Sequence, residues 1–207
     1  MDNINGASEQ NAEKRILESA RHIFHTKGFN GTKMQEIADD AKINKAMLHY
    51  YFRSKDKLFE SVFLEAANEF FSKVLKLVDN DLPLFKKIES FVNGYIDIIL
   101  CNPFIPAFII SEINQNPERL KKFFYKKHIR PPASFFEQIS KAVKDKEIIP
   151  IDPMQLMLNI ISLCLFPIVA RPVVETIFNI PENKYIQFLE LRKKEVSKFI
   201  INSIKVK

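Results

Sequence analysis

Glycine is scarce in this chain, and the scarcity limits the folds open to it. The 207 residues contain four glycines, three of them before residue 32 and the last at Gly94. Folds rich in β-strands need frequent turns, and glycine is the residue that many turn types require. Apolar residues at positions 16, 17, 20, 23 and 24 fall instead on one face of a helix. The sequence therefore predicts an all-α fold.

The composition indicates a globular protein with a modest excess of positive charge. Hydrophobic residues make up 46% and charged residues 27%, with 31 basic and 25 acidic side chains and a net charge of +6. Cys101 and Cys164 lie among apolar neighbours and are expected to be reduced core thiols. The N-terminus lacks the apolar run of a signal peptide, and the apolar stretch 157–170 is too short to span a bilayer. We therefore expect a cytoplasmic protein with no membrane partner, metal or cofactor.

Helix signals over the first sixty residues predict a small helical bundle. A first helix over 9–27 precedes Thr32 and Gln35, whose spacing is that of a capping box and predicts a second helix from residue 33. Asn44 and Ser54 are suitable N-caps for a third and a fourth helix. The second and third helices would form a tight helix-turn-helix, a motif whose second helix enters the major groove of DNA.

The third predicted helix has one face rich in aromatic and basic side chains. Leu48 and Phe52 lie four residues apart and are expected to point inward. The segment 27–57 contains seven basic and four acidic residues, a net +3. Rings and lysines in this arrangement can contact phosphates and base edges. The outward side chains would be Lys45, Met47, His49 and Tyr50.

The segment 16–63 resembles the TetR/AcrR family of bacterial transcriptional repressors. The resemblance covers about a quarter of the chain. It implies a three-helix DNA-binding domain over residues 1–55, followed by a larger antiparallel helical domain for effector binding and dimerisation over residues 56–207. The matching residues are Gly28, Phe29, Thr32, Ile37, Ala38, Ala41, Leu48, Tyr50, Phe52, Lys55 and Leu58.

By this resemblance, Thr32, Tyr50 and Lys55 are expected to anchor phosphates, and Lys45, Met47 and His49 are expected to read bases. Two further lysines, Lys33 and Lys42, are expected to contact the DNA backbone. The chain departs from the family at His49, where tyrosine is usual, and at Lys42, where glycine is usual. A positive φ at Lys42 would cost roughly 1 kcal/mol.

The larger domain is expected to consist of long helices. Asp152 and Pro153 should begin one of them, and the pair Pro131–Pro132 should break another after Arg130. The resemblance implies a cavity for a small, hydrophobic effector, although each ring could equally belong to an ordinary core and His128 could be a hydrogen-bonded core histidine. The pocket candidates are Phe91, Tyr95, Phe108, Phe124, His128, Phe135 and Met157.

Two surfaces of the larger domain have alternative interpretations. The basic run 119–130 would place Arg119, Lys122, Lys126 and Arg130 on one helical face, as either a solvated surface or an entrance for an anionic effector. The last two long helices contain more apolar residues than one side can bury, and the family pairs such helices as a homodimer. The candidates for that interface are Leu158, Ile161, Leu165, Phe188, Leu191 and Phe199.

The sequence thus predicts a dimeric DNA-binding repressor that a small hydrophobic ligand releases from a palindromic operator on double-stranded DNA. One alternative is an apolar small-molecule carrier whose helix-turn-helix is only scaffold. An enzyme is disfavoured, because the sequence offers no nucleophile–base pairing, glycine-rich phosphate loop or paired carboxylates in an apolar setting.

Overall fold

The computed structural model describes residues 3–130 and 132–206, and helices account for most of them. Within these residues the β-structure amounts to one bridge between Ile148 and Lys205, which agrees with the predicted all-α class. No single helix of the described part is both long and apolar enough to cross a membrane. The helices are α1 (Asn3–Gly31), α2 (Met34–Asp40), α3 (Lys45–Phe52), α4 (Lys55–Lys76), α5 (Leu84–Cys101), α6 (Phe104–Gln115), α7 (Pro117–Lys127), α8 (Ala133–Lys144), α9 (Pro153–Val169), α10 (Arg171–Phe178) and α11 (Tyr185–Ile204), with a 3-10 turn at Glu182–Lys184.

The helices group into two compact units. The first unit contains the residues up to Glu69 together with Phe108–Gln115, and the second contains Phe70–Ala107 and the residues from Asn116 onward. Helices α4 and α6 therefore each contribute to both units. The boundary predicted between residues 55 and 56 separates a DNA-binding domain from an effector-binding and dimerisation domain. These compact units do not test that functional division, so it stays a prediction.

An aromatic cluster forms the centre of the first unit. The Phe59 ring lies 4.9 Å from that of Phe24 and 5.4 Å from that of Phe108, between ring centroids. Phe63 and His25 also contact Phe108, at 5.9 Å and 4.9 Å. Each such aromatic pair contributes about 0.5–1.5 kcal/mol beyond its buried area. The prediction that Phe108 lines an effector pocket is therefore wrong, because its ring is packed into this core.

Several helices end at a left-handed residue that is not glycine. Lys42, His128, Lys146 and Asn179 have φ values of +54°, +52°, +59° and +50°. At Lys42 the amide donates to Asp39 O, and the next amide, of Ile43, donates to Ala38 O at 3.0 Å. This pair of hydrogen bonds is a Schellman motif, which satisfies carbonyls that the helix end leaves free. The positive φ predicted at Lys42 is confirmed.

The same motif corrects the prediction for His128. Helix α7 ends at Lys127, and His128 is exposed in the left-handed position that follows it. A place for His128 beside Phe124 on the inward side of the helix would require α7 to continue through residue 128, and it does not. His128 is therefore neither a core histidine nor part of an enclosed pocket. Helix α8 starts at Ala133, so the predicted break is present and begins before Arg130, while Pro131 lies outside the described residues.

Helix α5 packs against α9 and α11 in the second unit. Gly94 lets the Leu77 side chain pack closely against α5, because a Cβ at residue 94 would lie 2.5 Å from that side chain. The Asp152 cap of α9 is confirmed, since its carboxylate accepts from the Gln155 amide at 2.9 Å. Both cysteines are free, but only Cys164 is buried, so Cys101 is not the core thiol that was expected.

Candidate functional site

The start of α2 differs from the predicted capping box. The Thr32 side chain is buried, and its hydroxyl donates to Gly28 O at 2.7 Å instead of capping α2. The helix begins one residue later than predicted, at Met34, and the Lys33 amide donates to the Glu36 carboxylate at 3.3 Å. A hydrogen bond from Lys27, then that from Lys33, lowers the pKa of Glu36. The Thr32 hydroxyl thus donates its proton within the protein. Lys33, which follows it, has its side chain exposed at the start of α2.

Helix α3 is held by its cap and by two buried side chains. The Asn44 side chain accepts from the Met47 amide at 2.7 Å, which confirms the predicted N-cap. Leu48 and Phe52 are buried, as their spacing predicted. The opposite face is directed to solvent, with Met47 half-buried and with Lys45, His49 and Tyr50 exposed. Tyr50 is 76% exposed, an unusual exposure for a ring of that size.

His49 has a defined orientation at the end of α3. Its Nδ1 lies 3.2 Å from the carbonyl oxygen of Arg53. A carbonyl oxygen can only accept, so Nδ1 carries the proton in this hydrogen bond. In the neutral imidazole the other nitrogen, Nε2, is then an acceptor. Little in the sequence indicates the turn that makes this contact possible, since Arg53 adopts a φ of +46° without being a glycine or an asparagine.

Lys55 is positioned by an aromatic contact that sequence reasoning did not identify. Its ammonium group lies 4.5 Å from the centroid of the Phe29 ring, a cation–π contact at the start of α4. Ser54 caps that helix by accepting from the Lys57 amide at 3.2 Å, as predicted. Lys33 and Lys42 are exposed at the start of α2 and in the turn that follows it. The predicted DNA-contact residues thus all lie between Thr32 and Lys55, in α3, at the start of α4 and in the connections on either side of α2, and Thr32 alone among them is buried.

Residues 16–62 match the family model for bacterial regulatory proteins of the tetR family. The N-terminal segment of this chain is thus similar to that of the TetR family. The probable HTH-type transcriptional regulator YttP of Bacillus subtilis (strain 168) is 26% identical over 156 residues, which cover 74% of this chain and 75% of that protein. The HTH-type transcriptional repressor NicS of Pseudomonas putida is 42% identical over 60 residues, which cover 28% of each chain.

The likeness extends beyond the N-terminal segment at the level of fold. A TetR family transcription regulator from Marinobacter aquaeolei VT8 superposes with a TM-score of 0.64 over 97% of this chain and 99% of that chain, at 15% sequence identity. The chain therefore shares the fold of that regulator, with an N-terminal helix-turn-helix and a helical C-terminal domain. The family binds DNA, typically dimerises and consists of regulators and not of enzymes.

The second unit contains an apolar cavity of about 410 Å³. Of the predicted pocket residues, Phe91, Phe124 and Met157 line it. Tyr95 and Phe135 are instead buried in the core; the Tyr95 ring stacks on Phe91 at 5.5 Å, and burial raises the pKa of its hydroxyl. Tyr95 lies four residues after Phe91 on the same side of α5, and Phe135 directly precedes the lining residue Phe136, so periodicity alone could not separate these core positions from cavity positions.

The residues predicted for dimerisation divide between two environments. Leu158 and Ile161 line the cavity. Leu191 and Phe199 are each 63% exposed on α11, whereas Leu165 and Phe188 are half-buried. Sequence reasoning missed further exposed apolar side chains on α9, α10 and α11, namely Phe166, Val173, Ile177, Phe178 and Ile186. Among the described residues, histidine, cysteine and carboxylate side chains form no group of three that could hold a metal ion.

Proposed function

We propose that this chain is a cytoplasmic repressor of the TetR family that binds a palindromic operator as a homodimer and leaves it when a small ligand binds. The outward face of α3 carries the proposal. Lys45, His49 and Tyr50 are exposed there, on a short helix whose cap and buried residues hold it in place. In this assignment Lys45, Met47 and His49 contact base edges, while Lys33, Lys42, Tyr50 and Lys55 contact phosphates.

Dimerisation is supported by the apolar surface of α9, α10 and α11. Phe166, Phe178, Leu191 and Phe199 are each more than 60% exposed. A single helix in the major groove reads few base pairs, so specific binding usually needs two half-sites about 34–36 Å apart, related by two-fold symmetry. We therefore assign this surface to the contact with a second copy of the chain.

The cavity of the second unit supports release by a ligand. Its lining is apolar and its volume of about 410 Å³ lies in the range of small-molecule sites. A ligand can change DNA affinity only if it binds the released conformation more tightly than the DNA-bound one. The cavity alone would also suit an apolar-ligand carrier, which is the second candidate function.

Selection of bound duplexes from a random pool tests the repressor proposal. We expect an enriched palindrome, and an affinity for it that falls steeply as salt rises because phosphate contacts release counterions. The double variant Lys45→Ala/Tyr50→Ala should weaken operator binding by roughly ten- to a thousand-fold. Lys14→Ala, at an exposed lysine on α1, is the matched control and should bind as the wild type does. A folded protein that enriches no duplex even at low salt would leave the carrier as the better candidate.

A further inference from the structure

The cavity of the second unit has one charged group at its edge. Among the described residues that line it, only Arg130 is charged, and the others are apolar. Arg130 is exposed, and no hydrogen bond or ion pair within residues 3–130 and 132–206 engages its guanidinium group. Lys121, by contrast, forms an ion pair with Glu118 at 2.7 Å. The Arg130 side chain at the cavity edge is therefore available to an anion.

The end of α7 explains why Arg130 reaches the cavity. The left-handed turn at His128 ends the helix, and the Ile129 amide then donates to Phe124 O at 3.1 Å. Arg130 consequently does not continue the helical face of Lys122 and Lys126 that was predicted from the sequence. Ile129 and Phe124 both line the cavity, so this turn brings the Arg130 side chain to an apolar wall.

A second, shallower depression shares this edge. Phe124, Ile129 and Arg130 line both the cavity and the depression, which also contains Lys121 and His128. The apolar cavity thus adjoins a rim of basic side chains with Arg130 at the junction. Such an arrangement attracts a ligand that is apolar along most of its length and negatively charged at one end.

We propose that the cavity binds a single-chain amphiphile with an anionic head group, a carboxylate or a phosphate, whose chain lies against Phe91, Phe136 and Met157 and whose head lies on Arg130. The inference rests on the proposed function, because it names the ligand that would release the operator. A water-sized group occupies about 30 Å³, so the cavity of about 410 Å³ holds roughly a dozen methylene-sized groups. Arginine suits the head, since its planar fork can donate two hydrogen bonds to either anion.

Isothermal titration calorimetry with the full chain tests the proposal. The probes are dodecanoate, dodecyl phosphate, dodecanol and hexanoate, each kept below its aggregation concentration. We expect both dodecyl anions to bind once per protomer, dodecanol at least tenfold more weakly, and hexanoate at least a hundredfold more weakly because it buries fewer methylenes. Met157→Trp should fill the cavity and abolish binding of the anions.

Arg130→Gln should weaken binding of dodecanoate by roughly five- to thirty-fold and leave dodecanol unchanged. Lys126→Gln is the matched control, because it also removes one positive charge. Lys126 is an exposed residue of α7 that lines neither the cavity nor the shallower depression. Lys126→Gln should change the affinity by less than threefold. Equal binding of dodecanol and dodecanoate, equal effects of the two substitutions, or no binding of any probe would each overturn the proposal.

Fluorescence anisotropy with the selected operator separates this inference from the function on which it rests. If dodecanoate binds with the expected dependence on Arg130 but the operator stays bound, the ligand class holds and release is refuted. If no duplex binds the protein at all, the repressor function fails whatever the calorimetry gives. If dodecanoate displaces the operator from the wild type but not from Arg130→Gln, both the proposed ligand class and the proposed release of the operator are supported.

Discussion

Lys42 offers the sharpest test of the assigned DNA surface, because backbone strain and charge can be separated at one position. It is exposed at φ +54°, in the Schellman turn between α2 and α3. A non-glycine residue in this conformation costs roughly 1 kcal/mol. Lys42→Gly removes both the strain and the charge, whereas Lys42→Ala removes only the charge. The glycine variant also gains freedom in the unfolded state, which offsets part of the relief by about 0.4–1 kcal/mol.

The two variants should therefore differ only slightly in stability and agree in DNA binding. We expect Lys42→Gly to be more stable than Lys42→Ala by about 0–0.6 kcal/mol in urea melts at unchanged m-value, because the unfolded-state term offsets most of the relieved strain. If Lys42 contacts one phosphate per protomer, a dimer loses two contacts, and the slope of log affinity against log salt falls by about 1.8. Between 50 and 200 mM salt the wild type should then lose about tenfold more affinity than either variant.

Anisotropy titrations on the selected operator at several salt concentrations measure that slope. Slopes identical to the wild type in both variants would show that Lys42 does not touch the DNA backbone. An alanine variant that is more stable than the glycine variant would refute the strain assigned to the turn. Different salt slopes for the two variants would mean that turn geometry, and not charge alone, sets the contact.

Four further outcomes follow from the structure. Phe108→Ala should lower the free energy of unfolding by about 3–5 kcal/mol, because it empties the centre of the aromatic cluster. Asn44→Ala should cost about 0.5–2 kcal/mol in the same urea melts through loss of the cap on α3. Burial, and after it the nearby Arg21, lowers the pKa of His25. The contribution of His25 to stability is therefore complete above the unfolded-state pKa of about 6.5 and is lost as pH falls through the folded-state pKa. His25→Gln should flatten this decline in urea melts from pH 7.5 to 5. Burial raises the pKa of the Cys164 thiol to about 12, so at pH 8 a thiol reagent should modify only Cys101 until the protein unfolds.

Each of these outcomes has a direct contradiction. Phe104 is 58% exposed, and a loss for Phe104→Ala as large as that for Phe108→Ala would indicate a different core. A pH slope retained in His25→Gln would assign the titration to another group. Two thiols that react rapidly in the folded protein would contradict the burial of Cys164, and unchanged stability of Asn44→Ala would contradict the cap.

Local features of this fold could be predicted because they depend on residues within about one helical turn. The caps at Asn44, Ser54 and Asp152 each join a side chain to an amide three residues away. The buried side of α3 likewise depends only on the spacing of Leu48 and Phe52. These features define most of the candidate DNA surface, which is why the sequence was informative there.

Features that depend on distant segments could not be predicted in the same way. Phe108 belongs to the first unit although the residues just before it belong to the second, and nothing in its neighbourhood along the chain distinguishes the two. The end of α7 before His128 depends on a left-handed turn at a residue that is not glycine, so the position of Arg130 was missed. Helix α10 was not predicted either. It lies at 77° to α9, and the apolar residues at the end of α9 gave no indication of a change of direction.

Helix α9 has apolar side chains directed to two different surroundings. Leu158 and Ile161 line the cavity, whereas Phe166 is among the exposed side chains assigned to a second copy. If both assignments hold, the same rigid segment touches the bound amphiphile and the neighbouring protomer. Thermodynamic reciprocity then requires that self-association changes amphiphile affinity by the same factor as the amphiphile changes self-association. The apparent dissociation constant of the amphiphile would vary with total protein concentration near the monomer–dimer midpoint.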